Sequence, residues 1–360
     1  VLRATVVLRS YNRVTACCEA LERCLEQDYG NFEVLVIDQS NRASDEEMAR
    51  LEQLAEHPNA RVIYREPLGG PGSRNEACKH ADGDVVIMLD DDDMPAHTGW
   101  LSAFMKNFDD PKCLAVTGRH IMEGGKNPPY ANMKRAEEQV LSYSFLMWQR
   151  CYTRVDVRRE GIDNIHGTNS AIRRSALERF GLWDTCTRIE DESSLCYRIL
   201  AGKDPDEYMV FDPDAAIVRR LDIEGGLDKR QMTATGYGKR IFQFFHNVVA
   251  HYHTARFLLL YPAYIYLLWY VTADWVWHES AAHHGKTGNK LLTIGGLAVA
   301  MPLLWSYWLA GWTVGRIKNG APPRAPKLAP RAVRSRANEP EAVPASHRRS
   351  AAPTARVAGA

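Results

Sequence analysis

No two cysteines in this chain of 360 residues form a C-x-x-C pair, and the eight that occur (Cys17, Cys18, Cys24, Cys78, Cys113, Cys151, Cys186, Cys196) are scattered. That excludes a zinc ribbon and a secreted disulfide framework, and fits reduced thiols packed inside a cytosolic domain. The Lys-Ser/Thr of a phosphate-binding P-loop is missing, as is any G-x-G-x-x-G, so ATPase and NAD-dehydrogenase readings lose support. No signal-peptide pattern precedes Val1, which already lies in what reads as a strand; a few upstream residues are expected to be missing. Net charge is almost absent too, at 45 Lys plus Arg against 44 Asp plus Glu, and mean hydropathy is −0.35. These averages conceal a division. From Arg316 onward ten basic residues face two acidic ones, giving +8, so the first 315 residues carry −7.

What is present begins with alternation. Apolar β-rich runs at 5–8, 32–37, 62–64 and 85–89 are separated by helical patterns near 14–27, 45–56 and 73–81, with a further helix near 100–108. Continuous apolar strands alternating with helices predict a doubly wound α/β domain with a largely parallel sheet. Ligands in such sheets sit beyond the carboxyl ends of the strands, so the residues just after each apolar run are the first candidates.

Two long apolar stretches, 257–277 and 291–315, hold 21 and 25 residues, enough for transmembrane helices that need about 20. Asp274 and Pro302 are tolerable within them. The segment 237–253 mixes aromatic with basic residues as an interfacial helix does. Basic residues flank the pair (Lys239, Arg240 and Arg256 before, Arg316, Lys318 and Arg324 after), while the connection holds Lys286 and Lys290. The positive-inside rule then places the preceding domain and the tail in the cytoplasm. The tail is rich in Pro, Ala and Arg and is expected to be unfolded, with an attraction to anionic lipid.

Chemistry concentrates at Asp90, Asp91, Asp92 and Asp93, directly after the run 85–89. Four carboxylates at one strand end stay ionised together only when a cation or solvent compensates, and Mg²⁺ or Mn²⁺ held by one or two carboxylates plus substrate phosphates is an economical partner. Asp38 ends another strand, Arg9-Ser10-Tyr11-Asn12-Arg13 follows the first, and the glycine-rich 67–75 permits close approach of a ligand at a helix start.

The ordered segments VVLRSYNR (6–13), EVLVIDQS (33–40), GGPGSRNEACKHADGDVVIMLDDDDMP (69–95), GTNSAIRRSALERFGLWD (167–184) and EDESSLCYR (190–198) resemble the inverting family 2 glycosyltransferases of GT-A fold, over about residues 4–218. The resemblance implies a nucleotide-sugar donor, a D-x-D metal motif and a catalytic carboxylate. It makes Asp38 the nucleoside-binding aspartate, with Ser10 and Tyr11 beside it, and places Arg74 in the family's Ala-Arg-Asn segment. Asp90 and Asp92 become the D-x-D pair, Asp90 toward ribose and metal and Asp92 as direct metal ligand, with a register one residue later also open. Gly167 and Asn169 match positions near the donor sugar and acceptor. Glu190-Asp191 matches the ED motif, with Asp191 as general base. No Q-x-x-R-W follows, which disfavours a processive polysaccharide synthase, and Arg219-Arg220 stand where the family often has histidine. His166 precedes the GTN segment and is a candidate to touch the acceptor, with an ordinary buried or surface histidine as the favoured alternative.

The domain plan is therefore a GT-A domain at 1–220, an amphipathic connector at 221–255, two transmembrane helices at 256–315 and a disordered basic tail at 316–360. The implied function is inverting transfer of one sugar from a UDP- or dTDP-linked donor to a lipid-linked or envelope glycan, at the inner membrane and assisted by Mg²⁺ or Mn²⁺. No nucleic-acid partner is implied. A polyprenyl-phosphate sugar synthase is the alternative, with Arg219 and Arg220 on the lipid phosphate; a noncatalytic scaffold or sugar-nucleotide sensor is a third reading.

Overall fold

A computed structural model describes residues 1–125, 130, 132–187, 189–220, 223, 233–278 and 287–330. The first half alternates as its apolar runs predict: β1 (Ala4–Ser10), α1 (Val14–Leu25), β2 (Phe32–Asp38), α2 (Asp45–Ala55), β3 (Ala60–Tyr64), α3 (Gly69–His80), β4 (Val85–Asp90), the short β5 (Asp93–Pro95) and α4 (Trp100–Met105). There follow β6 (Cys113–Met122), α5 (Met133–Glu138), the pair β7 (Ser142–Tyr143) and β8 (Gln149–Arg150), β9 (Arg159–Glu160), β10 (Ser170–Arg173), α6 (Arg174–Phe180), α7 (Asp191–Gly202) and β11 (Tyr208–Arg219).

The main sheet runs β3-β2-β1-β4-β10-β6-β11-β5, with β9 also on β11. Strands β1 to β4 are mutually parallel, as are β6 and β11, but β10 lies antiparallel between β4 and β6. The sheet is thus mixed. The loop carrying Gly167 and Thr168 arrives at the end of the sheet where β4 finishes, so β10 must run back down. Both faces are covered: Leu8, Val34, Val36, Ile87 and Leu89 pack toward α1 and Trp100 on one side, while Val7, Leu35, Val86 and Met88 pack toward Ala77, Leu177 and Trp183 on the other. Six of the eight cysteines are buried, and all eight are free thiols.

Beyond the sheet, α8 (Ala234–Phe244) runs through a π-helical turn at Phe245–Val249 into α9 (Ala250–Tyr252), then α10 (Thr254–Leu259), α11 (Tyr261–His278) and α12 (Thr287–Asn319). The sequence predicts one helix over 257–277; instead it breaks at Leu260, because Pro262 has no N–H to donate and its ring opposes the carbonyl of the preceding turn. The 18 residues of α11 span about 27 Å, slightly short of a hydrocarbon core of about 30 Å. Among the described residues one helix, Gly288–Asn319, is long and apolar enough by itself to cross a membrane.

The expected interfacial helix is also different in character. Ile241, Phe242, Phe244, Phe245 and Val248 are buried with Tyr264, Leu268, Met301 and Trp305, and with Met147 and Tyr197 of the sheet domain, so these aromatics mediate internal packing. Close approach is built in at Gly238, where a Cβ would lie 3.1 Å from Met301 Cε and 3.3 Å from Thr272 Oγ1. Nor is the chain after residue 316 all tail: Arg316–Asn319 belong to α12, and Leu328 is buried against the sheet domain. The remaining tail, 331–360, most of the connector at 221–232, and Lys286 lie outside the described residues.

Candidate active site

The carboxyl ends of β1, β2 and β4 lie side by side. Register pairs Ser10 with Asp38 and Arg9 with Asp90, bringing three sequence-predicted residues to one end of the sheet. Ser10 and Asp38 are buried, and Tyr11 is exposed. Asp38 Oδ1 accepts from Ser40 Oγ at 2.7 Å, fixing the carboxylate at the rim. The glycine-rich segment is not a loop throughout: Gly69, in the left-handed region at φ 73°, opens α3, whose first turns carry the segment on to Ser73 and Arg74. Gln39 Oε1 receives Leu68 N at 2.7 Å and ties that start to the end of β2.

The four aspartates part company. Strand β4 ends at Asp90, the chain turns at Asp91 and Asp92, and Asp93 begins β5, directly opposite Arg219 in β11. Arg220 N donates to Asp92 O at 3.1 Å, clamping the turn. Asp91 points away from its neighbours into a fork made by Arg13, which also reaches Asp92 Oδ2 at 3.1 Å. The other three converge, each offering a carboxylate oxygen within 4.8 Å of the rest. Asp92 Oδ1 and both Asp93 oxygens are buried without a hydrogen-bond partner, and Arg219 Nε, 3.5 Å from Asp93 Oδ1, offsets only part of that charge. Such oxygens are costly unless a cation meets them, so Asp90, Asp92 and Asp93 fit a divalent ion.

Arginines balance part of this charge. Burial works against the Asp90 charge, yet Arg9, which donates to it, and Arg74, Arg219 and Arg13 hold its carboxyl below the ordinary range. Burial pushes Asp91 up to about 8 and Asp93 up to about 7, against the pull of Arg13 and Arg219 respectively.

Asp191 opens α7 and is bound by Arg74 Nη1; Arg74 Nη2 bonds Gly167 O at 2.9 Å and lies 3.0 Å from Glu192 Oε1. All three side chains are almost wholly buried, and a deeply buried guanidinium between two carboxylates is a fixed strut. Gly167 is required here, since a Cβ would overlap Glu192 Oε1 and come within 2.6 Å of Arg74 Nη2. Glu190 caps α7 from the left-handed region at φ 52°, one of three such non-glycine residues in this region with Asn12 (φ 57°) and Asn169 (φ 54°). Backbone strain of this kind is held only where surroundings over-determine it.

Asn169 is a positioning residue in this structure. Its amide is consumed by Trp100 Nε1 at 2.8 Å, Ala215 O at 2.9 Å and Arg119 O at 3.1 Å, which locks β10 to α4 and β11. His166 stacks edge-on to His120 at 4.3 Å, and burial pushes it down to about 4, so it is neutral near pH 7. Of the two arginines ending β11, Arg219 joins the aspartates, 3.5 Å from Asp93, while Arg220 binds Glu19 on α1.

Residues 5–181 match the family described as Glycosyl transferase family 2. This domain is a family 2 glycosyltransferase. The transferase is 30% identical over 98 residues to an uncharacterized glycosyltransferase of Bacillus subtilis, covering 27% of this chain and 35% of that protein. It is 27% identical over 192 residues to a poly-beta-1,6-N-acetyl-D-glucosamine synthase of Staphylococcus epidermidis, covering 51% of this chain and 43% of the synthase. The chain thus spans less than half the length of these curated relatives. In fold it is similar to a mannosyltransferase from Pyrobaculum calidifontis solved with GDP-Man and Mn²⁺, with TM-score 0.52 and 21% identity over 88% of this chain and 87% of that one.

Two residues at the candidate site, Glu192 and Arg13, escape sequence reading as individual roles, and a third, Asp93, is offered there only by the later D-x-D register. Glu192 follows the ED pair and resembles an ordinary acidic first turn. Arg13 matters only because α1 begins beside the aspartates, and Asp93 joins the triad only because β5 pairs with β11. The fourfold acidic run was the available signal for the last.

Proposed function

We propose that this transferase moves a single sugar, with inversion, from a UDP- or dTDP-linked donor to a hydroxyl of a lipid-linked or cell-envelope glycan. One observation carries the reading: Arg74 bridges Asp191 and Glu192 and lies within electrostatic reach of Asp90, so a metal-type carboxylate triad and a candidate base share one rigid site. Ser10, Tyr11 and Asp38 line the end of the sheet where the nucleoside would rest. Asp90, Asp92 and Asp93 would hold Mg²⁺ or Mn²⁺, which supplies compensation for the charge developing on the leaving diphosphate. The Mn²⁺ and GDP-Man bound by the mannosyltransferase of similar fold support that assignment.

Asp191 accepts the acceptor's hydroxyl proton while that oxygen forms its bond to the anomeric carbon and the bond to the diphosphate breaks. A single displacement inverts the anomeric centre. Arg74 fixes Asp191 through Oδ2, and Gly167 leaves room for that strut. Glu190 sets the entry to α7. A glycan acceptor is supported by the likeness to the poly-beta-1,6-N-acetyl-D-glucosamine synthase, and the lack of Q-x-x-R-W after the ED segment supports one addition per encounter.

The reading sets the chain in the inner membrane; its cytoplasmic orientation rests on the basic flanks of the apolar stretches, and a shared side for the domain and the segment up to residue 330 draws support from connectivity. Leu182 N donates to Pro326 O at 3.0 Å, so the chain after α12 rests on the catalytic domain. A single crossing by α12 would part these two; α11 and α12 crossing as a hairpin keeps them together. The decisive assay incubates detergent-solubilised protein with a nucleotide-sugar panel, Mn²⁺ or Mg²⁺, and membrane lipid extract. Transfer is expected for one donor and is lost in Asp92→Ala and in Asp191→Asn, with both variants folded. Full activity in either sinks that residue's role; transfer to polyprenyl phosphate alone would favour the synthase reading.

A further inference from the structure

A second cavity, of about 260 Å³, shares no lining residue with the donor site. Four stretches of chain build it: the end of α6 with Arg179 and Gly181, Arg198 on α7, His251 with Tyr252 on α9, and Arg324 with Lys327 beyond α12. The last stretch is held in place. Gly320 (φ 73°) ends α12, Leu182 N grips Pro326 O, and Leu328 is buried against the catalytic domain.

The charge around this cavity does not cancel. Arg179 is matched by Glu207 at 2.8 Å, and Arg198 lies 3.5 Å from the buried Asp184, whose Oδ2 receives the Tyr252 hydroxyl at 2.7 Å. Arg324 donates to Asn247 O at 3.0 Å, and neither it nor Lys327 forms an ion pair among the described residues. The surplus is therefore Arg324, anchored on Asn247 O, and the exposed Lys327, both lining a concave site already walled by two more cations. Burial and the charges of Arg324, Arg316 and Arg198 keep His251 below its ordinary range, in keeping with a positive field.

We propose that this cavity is a phosphate-binding site, separate from the donor site, that takes the phosphate of a lipid headgroup or of a soluble phosphate ester. Guanidinium forks match phosphate oxygens in pairs, and a partly enclosed cation surplus is relieved by an anion rather than by water alone. The position suits a headgroup, because Arg324 follows five residues after α12 ends, and the last turns of α12 expose Val314 and Ile317. The negative surface of a membrane draws such cations. Along α7, Arg198 stands two turns from Asp191, so an occupied site would fix the catalytic helix relative to the bilayer.

The test uses the full chain in maltoside micelles. Native mass spectrometry counts phosphatidylglycerol against phosphatidylcholine retained, and calorimetry measures inorganic phosphate. Lys327→Glu alters an exposed side chain and is expected to keep its melting temperature without ligand; Arg324→Glu is the companion. Preferential phosphatidylglycerol retention that weakens about tenfold in Lys327→Glu supports the site with a lipid source. Binding of inorganic phosphate alone, lost in the same variant, supports it with a soluble source. Equal binding by parent and both variants, or no preference over phosphatidylcholine and no phosphate binding, overturns it.

Discussion

Gly167 and Glu192 show how tightly single side chains are constrained around the candidate base. A methyl group at 167 must displace Glu192 or Arg74, and Arg74 is what holds Asp191. Gly167→Ala is therefore expected to lower kcat by about 10²-fold, the scale of a misplaced reacting group, while the protein stays folded. Steady-state transfer alongside circular dichroism checks this, and unchanged kcat would contradict it. Glu192 has a separate pH signature. Burial, helped by Asp191, pushes its carboxyl up to about 7, whereas the unfolded side chain ionises near ~4.3. Between those values the folded state keeps a proton that the unfolded state has released, so this group's contribution to stability falls as pH rises through the window and is flat above it. Glu192→Gln should accordingly gain melting temperature relative to the parent from pH 5 to pH 8. A difference that does not vary with pH would show that Glu192 does not titrate there.

At the scale of elements, the sheet was legible because its strands are buried on both faces and read as unbroken apolar runs. The helix α2 was legible from its pattern, and the structure adds a cap the pattern did not use: Ser44 Oγ accepts from Glu47 N while Glu47 Oε2 accepts from Ser44 N. Ser44→Ala is expected to cost about 1 kcal/mol in urea unfolding, with kcat untouched. A loss near zero would mean α2 is held by packing of Leu51 alone. Other elements depended on partners far along the chain. The antiparallel insertion of β10 reflects where its preceding loop must begin, and the role of Asp93 depends on β5 meeting Ile217–Arg219. The helix break at Leu260 could be anticipated from Pro262, yet total apolar length outweighed it. The aromatics of 237–253 suited a bilayer surface equally well as composition; only α11 and α12 packing on them decides for the interior.

For the whole molecule, the proposed hairpin makes a strict demand: the catalytic domain and the segment around Pro326 must share one side of the membrane. In inverted and right-side-out vesicles, Val157→Cys and Lys327→Cys are both expected to react with an impermeant maleimide from the same face, above the parent background. Labelling from opposite faces would exclude the hairpin. The exposed apolar residues of α12, among them Leu292, Val299, Leu303 and Ile317, suit contact with lipid chains.

The grip of Leu182 on Pro326 also orders biosynthesis. The loop from α6 to α7 is joined by Arg198 to Phe180 O and Leu182 O, and that same loop waits for a residue made about 140 positions later. The ribosome must release both apolar helices and the extended segment beyond them before the loop ahead of α7 acquires this support. The segment that leads into α7 thus owes one of its anchors to the very end of the described chain, and a chain cut short before Pro326 would carry that loop without it.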